Sequence, residues 1–220
     1  MNAELWGHMS HELRTPLNII IGFAELLHSD LVEDPAQRKE YLNDILVSGQ
    51  HLLRLIDDIL DLSKIETGTI QFHPKAIELG SLVNESLALV REPAAKTRID
   101  IITDIEPLPL QLSLDPTRLK QVLYSFLSNA VKFTPCDGSV TVRGRVEGDE
   151  VRLEVRDTGV GLAADTLDEV FNGSGLGLPL AKSVVTAQGG RVGVSSRPGV
   201  GSTFFATLPV RMLDAPNPTR

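Results

Sequence analysis

The residues best suited to nucleophilic chemistry lie near the start of this 220-residue chain, around His11. Glu12 follows directly, and a carboxylate that accepts the proton of one imidazole nitrogen makes the other nitrogen a better nucleophile. In a helix, Thr15 lies one turn from His11, where its hydroxyl can hold a water molecule near the imidazole. Pro16 lacks an N–H and kinks a helix at this point. These residues predict a nucleophilic His11 that is assisted by Glu12 and Thr15.

A second group of polar residues has the chemistry of a nucleotide pocket. Asn129 and Lys132 stand on one predicted helix, where an amide oxygen suits Mg²⁺ and an ammonium group suits phosphate oxygens. Asp157 follows a predicted strand, and its carboxylate can accept the exocyclic amine of adenine. Gly159 and Gly161 let the backbone approach a planar ligand. Taken alone, these residues also fit a solvated helix face and an ordinary turn after a strand.

Two glycine-rich stretches complete this group. A hexapeptide with Gly173, Gly175 and Gly177 opens a predicted helix, whose N-terminus and bared N–H groups favour a triphosphate. The stretch 199–203 precedes a strand, and we predict that it closes the floor of the pocket, with Thr203 as a ligand contact. Dinucleotide-binding folds also use a glycine-rich hexapeptide, but there an acidic residue follows about 20 positions later, and no matching acid follows in this chain.

Two long amphipathic helices must position His11. Apolar residues recur at the helical period across Ala3 to His28 and again across Ala36 to Glu66, with the polar stretch Ser29 to Pro35 between them. The apolar stripe of the second helix is too wide for one neighbouring helix to cover. We therefore predict an antiparallel hairpin that forms a homodimeric four-helix bundle through residues 1–66. The alternative is a hairpin packed on its own second domain.

A mixed α/β region after Thr67 is predicted to carry the nucleotide-binding residues. Asp115 as N-cap and Pro116 at the first helical position mark one helix start clearly, and we expect a loose tail after Val210. The predicted elements are a strand near Thr69 to Phe72, a helix from Leu79 to Thr97, a strand from Arg98 to Ile105, a short strand after Pro107 and Pro109, a helix from Pro116 to Phe133, and hairpins of Ser139–Val146 with Glu150–Arg156 and of Arg191–Ser196 with Ser202–Val210.

The motifs resemble two known domains in a fixed order. Ser10 to Leu17, with the sequence SHELRTPL, resembles the phosphoacceptor box of sensor histidine kinases. Four later motifs, at residues 129–132, 157–161, 173–178 and 199–203, resemble the ATP-binding domain that histidine kinases share with type II topoisomerases and mismatch-repair ATPases. The resemblance implies an α+β chain: a dimerisation and histidine phosphotransfer domain at 1–68, then an α/β sandwich ATP-binding domain of the histidine kinase and gyrase type at 69–220.

The resemblance also implies an activity for these residues. His11 is expected to take the γ-phosphoryl group of ATP and to pass it to an aspartate on a response-regulator receiver domain. Asn129 is the expected Mg²⁺ ligand, Lys132 meets phosphate oxygens, and Asp157 holds adenine. Catalysis of this kind is mostly positioning and charge neutralisation. Thr15 with Glu12 is expected to support the reverse, hydrolytic reaction on the receiver, which is phosphatase activity.

Two positions depart from the family pattern. Ser125 stands where the family usually has a second Asn one helical turn before the metal ligand, and its hydroxyl reaches less far. Asn172 alone separates Phe171 from Gly173, where the family has a loop that covers the phosphates. Because of these departures, a nucleotide-binding signalling scaffold with weak kinase activity stays open as an alternative. A third interpretation is an ATPase that omits the histidine step.

The composition of the chain limits the kinds of partner and the cellular compartment that we expect for it. A net charge of -8 and a pI near 5.1 disfavour nucleic acid and anionic membrane surfaces as partners. The single Cys136 excludes an internal disulfide, and no Cys/His cluster suggests zinc. No apolar run approaches the length of a membrane helix. We therefore predict a cytoplasmic fragment without membrane contact, and we expect a sensor region outside it.

Overall fold

The computed structural model describes residues 3–29, 32, 34–106, 111–167, 169–172 and 175–213. The chain divides into two compact units, residues 1–70 with 174–176 and residues 71–173 with 177–220. The first unit is helical and the second is a mixed α/β unit. Within the described residues, no helix is both long and apolar enough to cross a membrane.

The first unit is a hairpin of α1 (Ala3–His28) and α2 (Pro35–Glu66). Asp34 begins α2 because its side chain accepts a hydrogen bond from the Ala36 N–H at 3.0 Å, and Pro35 occupies the first helical position. Phe23 on α1 stacks on Tyr41 on α2, with the ring centroids 4.7 Å apart. The two predicted helices are therefore present.

Large apolar side chains stay exposed along both helices of this hairpin. Only Leu55 and Leu62 are fully buried among the large apolar side chains described on α2. By contrast, ten others keep between 40% and 64% of their surface exposed: Leu17, Ile19, Ile21, Leu26, Leu42, Leu46, Val47, Leu53, Ile56 and Leu60. An apolar surface of this extent is rare on a protein that works as a monomer.

The second unit is built on a five-stranded sheet with the strand order β2-β4-β5-β7-β6. Strands β2 and β4 are parallel, and the other neighbouring pairs are antiparallel. A smaller sheet has the order β1-β3-β8. The strands are β1 (Lys75–Ile77), β2 (Asp100–Ile105), β3 (Gln111–Leu114), β4 (Ser139–Glu147), β5 (Glu150–Asp157), β6 (Arg191–Arg197), β7 (Gly201–Pro209) and β8 (Arg211–Leu213).

Helices α3 (Leu79–Ala88), α5 (Pro116–Phe133) and α6 (Gly177–Ala187) form the second layer, and a short α4 (Arg91–Lys96) follows α3. In β4, β5 and β7, the alternate residues that face this layer are buried, as a sheet with one covered face requires. The core comprises Leu119, Leu123, Phe126 and Leu127 of α5, Leu180 and Val184 of α6, and Val140, Val142, Val151, Leu153 and Val155 of the sheet. The predicted α/β sandwich is confirmed.

A single buried carboxylate fixes the start of α5. Asp115 Oδ1 accepts hydrogen bonds from the N–H groups of Thr117 and Arg118 at 3.0 and 3.1 Å. Its other oxygen accepts the N–H of His73 at 2.8 Å. Asp115 therefore joins the chain that precedes β1 to the first turn of α5.

Three predicted elements differ in the structure. No strand forms at 69–72, because the N–H groups of Thr69 and Ile70 both bind the Lys64 carbonyl at the end of α2. The predicted helix from Leu79 to Thr97 breaks into α3 and α4, since Pro93 crowds the carbonyl of the residue four positions earlier. The tail after Val210 is not loose throughout, because Arg211–Leu213 pairs with β3.

The remaining helix and strands predicted for this unit agree with the structure. Strand β3 forms after Pro107 and Pro109, although these two prolines lie outside the described residues. Helix α5 and the two predicted hairpins are present, with strand ends that differ by one residue or so.

Candidate functional site

The predicted nucleophile lies on the surface of α1. His11 is exposed and Glu12 is partly buried, one residue further on. The hydroxyl of Thr15 donates to the His11 carbonyl oxygen at 3.3 Å, so Thr15 stands one turn from His11 and supports the backbone there. Pro16 lies inside α1 and is buried. The three residues predicted for the hairpin are therefore brought together, with the imidazole open to solvent.

A groove runs along α1 beyond His11, and the sequence analysis missed it. Its volume is about 580 Å³, and its lining is Asn18, Ile19, Gly22, Phe23, Glu25, Leu26 and Ser29. Asn18, Gly22 and Ser29 follow His11 by 7, 11 and 18 positions, close to whole multiples of the helical repeat, so they share its face. This spacing was the signal available in the sequence. A partner that reaches His11 along α1 would lie over this groove.

Helix α5 carries Asn129 and Lys132. The Asn129 amide nitrogen donates to the Ser125 carbonyl at 2.9 Å, which leaves Oδ1 as the acceptor of this side chain. Lys132 is exposed, and its Nζ lies 5.3 Å from the centre of the Phe133 ring. Ser125 is only 6% exposed, and within the described residues its hydroxyl has no hydrogen-bond partner.

The carboxyl group of Asp157 is held at the end of β5. Asp157 is 4% exposed, and its Oδ1 accepts the N–H groups of Gly159 at 2.8 Å and Ser202 at 3.1 Å. Burial raises the pKa of Asp157 above its ordinary value, and the hydrogen bonds from the backbone of Gly159 and Ser202 oppose this effect. Because both described bonds use Oδ1, Oδ2 keeps its capacity to accept a hydrogen bond from a ligand.

The glycines after Asp157 are required by the protein's own backbone. Gly161 has a φ of +69°, and a Cβ atom there would lie 2.1 Å from the Arg197 carbonyl oxygen. A Cβ atom on Gly159 would lie 2.6 Å from the Phe133 carbonyl oxygen. The loop is therefore packed tightly between the end of α5 and the β6–β7 turn. The predicted reason, close approach to a planar ligand, is not needed to explain these glycines.

Thr203 is not brought to Asp157, and its neighbour Ser202 takes that place. Side chains alternate across a strand, so Thr203 points to the opposite face of the sheet from Ser202, whose N–H binds Asp157. Ser202 is buried, and its hydroxyl lies 2.9 Å from the Ser196 hydroxyl. Ser196 also accepts the Leu162 N–H at 2.8 Å. The structure therefore places Ser202, supported by Ser196, beside Asp157, and it places Thr203, the predicted ligand contact, opposite Arg156.

The glycine-rich hexapeptide is only partly described. Gly173 lies outside the described residues, Gly175 lies within them, and Gly177 begins α6. A Cβ atom on Gly177 would lie 2.9 Å from the Ser125 hydroxyl, so this glycine lets α6 begin close against α5. The N-terminus of α6 therefore lies beside Ser125, one turn from Asn129.

This chain combines a helical hairpin that carries an exposed histidine with an α/β unit that carries a buried aspartate. That combination is typical of histidine kinase cores. Residues 1–68 match the family described as His Kinase A (phospho-acceptor) domain. Residues 114–212 match the family described as Histidine kinase-, DNA gyrase B-, and HSP90-like ATPase. The chain belongs to the ATP-dependent histidine kinases and has the catalytic core of a two-component sensor kinase.

Curated relatives support this assignment. The chain is 40% identical to the non-motile and phage-resistance protein of Caulobacter vibrioides, over 96% of this chain and 27% of the relative. It is 35% identical to the sensor protein GacS of Pseudomonas syringae pv. syringae, over 94% of this chain and 25% of the relative. The chain therefore spans about a quarter of the length of these relatives.

Solved structures share the fold. The chain resembles full-length ShkA in complex with AMPPNP, with a TM-score of 0.73 and 32% identity, over 98% of this chain and 47% of that one. It has the same TM-score with the histidine kinase AdeS of Acinetobacter baumannii, at 24% identity, over 90% of this chain and 97% of that one. The second likeness concerns the fold alone.

Proposed function

We propose that this chain phosphorylates its own His11 from ATP and then passes the phosphoryl group to an aspartate of a response-regulator receiver. The observation that carries the proposal is an exposed His11 with Glu12 beside it, in a chain whose second unit is a kinase-type ATPase. We assign dimerisation and phosphotransfer to residues 1–68 and ATP binding to residues 69–220. A cytoplasmic location follows from the need for ATP and a receiver.

Adenine binding rests on Asp157. Its Oδ1 is occupied by two backbone N–H groups, so Oδ2 is the oxygen that accepts the exocyclic amine of the base. Ser202 and Ser196 hold this arrangement in place, because they join β6, β7 and the loop after Asp157. The glycines at 159 and 161 keep the loop close enough for these bonds to form.

The phosphates are assigned to α5 and to the N-terminus of α6. Asn129 Oδ1 is a hard oxygen ligand that fits Mg²⁺, a metal that takes one or two protein oxygens and completes its shell with phosphate oxygens and water. Mg²⁺, when bound, neutralises phosphate charge. Within the described residues, no group of three or more His, Cys, Asp or Glu offers an alternative metal site. Lys132 and the Gly175–Gly177 turn supply further contacts to phosphate oxygens.

The chemical step is a transfer of the γ-phosphoryl group to nitrogen. A bond forms between an imidazole nitrogen of His11 and the γ-phosphorus, and the bond from that phosphorus to the bridging oxygen of ADP breaks. Glu12 accepts the proton of the other imidazole nitrogen and so keeps the attacking nitrogen unprotonated. Thr15, one turn away, positions water for the reverse, hydrolytic reaction on the receiver.

A homodimer and a receiver are the proposed partners of the hairpin. The exposed apolar side chains outside the groove, such as Leu42, Leu46 and Leu53, are covered when two hairpins form a four-helix bundle. The receiver is assigned to the groove on the His11 face, because its aspartate must come within bonding distance of the phosphorylated imidazole. The kinase ThkA, which has a TM-score of 0.68 with this chain at 24% identity, has been solved in complex with the response regulator TrrA.

Substitution of His11 tests the proposed function directly. His11→Gln should abolish acid-labile labelling of the full chain by γ-labelled ATP and should leave nucleotide binding unchanged, because the acceptor and the pocket belong to different units. His28→Gln, on the same helix, is the matched control and should keep its label. Label that persists on the His11→Gln protein would contradict the assignment. Steady ATP turnover without any label would favour an ATPase instead.

A further inference from the structure

Three polar side chains lie in one row across the end of the large sheet. Ser196 of β6 and Ser202 of β7 are partners in the strand register. Asp157 and Ser202 lie one position beyond the last register pair of β5 and β7, and the Ser202 N–H binds Asp157 Oδ1 at 3.1 Å. Opposite residues on neighbouring strands point to the same face of a sheet. The side chains of Asp157, Ser202 and Ser196 therefore share one face, which is the face that the helices cover.

The hydrogens of the two serine hydroxyls can be assigned from their contacts. Ser196 Oγ lies 2.9 Å from the Gly201 carbonyl oxygen, 2.8 Å from the Leu162 backbone nitrogen and 2.9 Å from Ser202 Oγ. A carbonyl oxygen only accepts and a backbone N–H only donates, so the single hydrogen of the Ser196 hydroxyl points to Gly201. The contact between the two hydroxyls then takes its hydrogen from Ser202. Ser202 therefore donates to Ser196 and has only lone pairs left for another partner.

The lone pairs of Ser202 stand beside a carboxylate that also only accepts. Asp157 Oδ1 binds two backbone N–H groups, which leaves Oδ2 for a ligand, and an ionised carboxylate has no hydrogen to give. Two acceptors therefore lie side by side at this end of the sheet. An exocyclic amine has two hydrogens and satisfies both acceptors, whereas an exocyclic oxygen in the same place faces two acceptors and is repelled. A water molecule between Ser202 and the amine keeps the same polarity.

We propose that Ser196 sets the hydrogen-bond polarity of the base pocket and so makes it select a purine with an exocyclic amine over one with an exocyclic oxygen. This inference rests on the proposed function, because it assumes that Asp157 holds the base of a nucleotide. Ser196 acts through Ser202 and is a positioning residue. Without the Ser196 hydroxyl, the hydrogen of Ser202 is released and can turn toward Asp157 or the base. Either turn removes an acceptor for the amine.

Three nucleotides that differ only at the exocyclic position test this proposal, through displacement of a fluorescent adenine nucleotide from the full chain. ATP carries the amine, inosine triphosphate carries an oxygen, and purine riboside triphosphate carries only hydrogen. The wild-type protein should bind ATP about tenfold more tightly than purine riboside triphosphate. Equal affinity of the wild-type protein for these two would overturn the proposal alone. A wild-type protein that binds none of the three nucleotides would overturn the proposed function instead, so the two failures are distinguishable.

Ser196→Ala should change these affinities unequally. ATP affinity should fall by about tenfold, while the affinity for purine riboside triphosphate should change by less than about threefold, because that base offers nothing to Ser202. Inosine triphosphate should bind equally well or more tightly, since the released hydrogen can be donated to its oxygen. Ser195→Ala is the matched control, because Ser195 is the preceding residue of β6, is exposed and points to the opposite face. An equal loss for all three nucleotides, or an equal change in the control, would overturn the proposal.

A double variant shows whether Ser196 acts through Ser202. Ser202→Ala removes the acceptor and keeps the backbone N–H that binds Asp157, so it should reduce the preference for ATP over purine riboside triphosphate as much as Ser196→Ala does. Combining the two substitutions should reduce this preference no further, whereas independent effects would add. A further tenfold loss in the double variant would overturn the positioning role. If Ser196→Ala does not fold, Ser202→Ala decides alone, and an unchanged preference there overturns the proposal.

Discussion

The two units of this chain place their functional residues in opposite environments. His11 is exposed on α1, and the groove beside it is open along one helix face. Asp157 is 4% exposed and is held by hydrogen bonds from two different segments. The hairpin offers reactive and apolar groups to other molecules, whereas the α/β unit assembles its site from internal contacts. The difference fits the sizes of the proposed partners, because a receiver would need an open surface and a nucleotide base an enclosed one.

Glycine shows this contrast most clearly. A Cβ atom on Gly22, in the middle of α1, would meet nothing within 4 Å, while one on Gly161 would lie 2.1 Å from the Arg197 carbonyl oxygen. A glycine inside a helix costs about 0.5–1 kcal/mol relative to alanine, so the chain itself gains nothing from Gly22. We infer that Gly161 serves the fold of its own unit, and that Gly22 keeps space for a partner.

Gly161→Ala should have the largest effect on stability. The new Cβ atom collides with the backbone at Arg197, and a φ of +69° is unfavourable for alanine. We expect destabilisation of the second unit by several kcal/mol, roughly 2–4, measured by denaturant unfolding, with loss of nucleotide binding. Gly148→Ala is the control, since it has a φ of +65° but open space around it, and it should cost less. Equal losses for the two would show that the collision is unimportant.

Asp157→Asn should separate binding from folding. The amide oxygen can still accept the N–H groups of Gly159 and Ser202, but an NH₂ group replaces Oδ2 and opposes the adenine amine. We expect nucleotide affinity to fall by about 1–3 kcal/mol, or roughly fivefold to 150-fold. Thermal stability should be unchanged or higher, because burial raises the pKa of Asp157 and the ionised carboxylate is therefore costly to bury.

The pH dependence of the wild-type protein follows from the same shift. A raised pKa in the folded state means that this group favours folding most at low pH, and that the benefit is lost as pH rises through the folded value. Nucleotide binding has the opposite dependence on pH, since it needs the ionised carboxylate and weakens as pH falls.

Asp104→Asn, on the solvent face of β2, is the control for Asp157→Asn and should leave nucleotide affinity unchanged. An unchanged affinity in Asp157→Asn would remove Asp157 from the site.

Gly22→Ala should have the smallest effect on stability and a specific effect on transfer. Alanine favours the helix, so the hairpin should become more stable by about 0.5–1 kcal/mol in thermal unfolding. The added methyl group enters the groove and should slow phosphoryl transfer to a receiver, while labelling of His11 from ATP stays the same. Gly49→Ala in α2 is the matched control, because its Cβ atom also meets nothing within 4 Å. Equal rates of phosphoryl transfer in the two variants would show that the receiver does not bind in the groove.

Local signals explain which parts of the fold were predictable. Helices α1 and α5 follow from apolar periodicity, and α5 also follows from Asp115 and Pro116, which lie next to each other in the sequence. The break between α3 and α4 was predictable from Pro93, but the apolar residues on both sides hid it. Strand β8 was not predictable, because it depends on a free edge of β3 about a hundred positions earlier.

The candidate site divides in the same way. The glycine-rich motifs identified Asp157 and its loop, because their residues are contiguous. The choice between Ser202 and Thr203 depends on which residue of β7 faces Asp157, and a motif that contains both cannot decide it. Ser196 lies 34 positions from Leu162, whose N–H it binds, so only the assembled sheet reveals that contact.

The bond between Asp115 and the His73 N–H has a practical consequence for isolating the ATP-binding unit. The first strand begins at Lys75, and a fragment cut there would look complete by its secondary structure. Such a fragment would lack one of the three N–H groups that bind the buried Asp115 carboxylate, a loss of about 1–3 kcal/mol for a buried charged acceptor. The usable border of the unit is therefore set by a hydrogen bond and lies before His73.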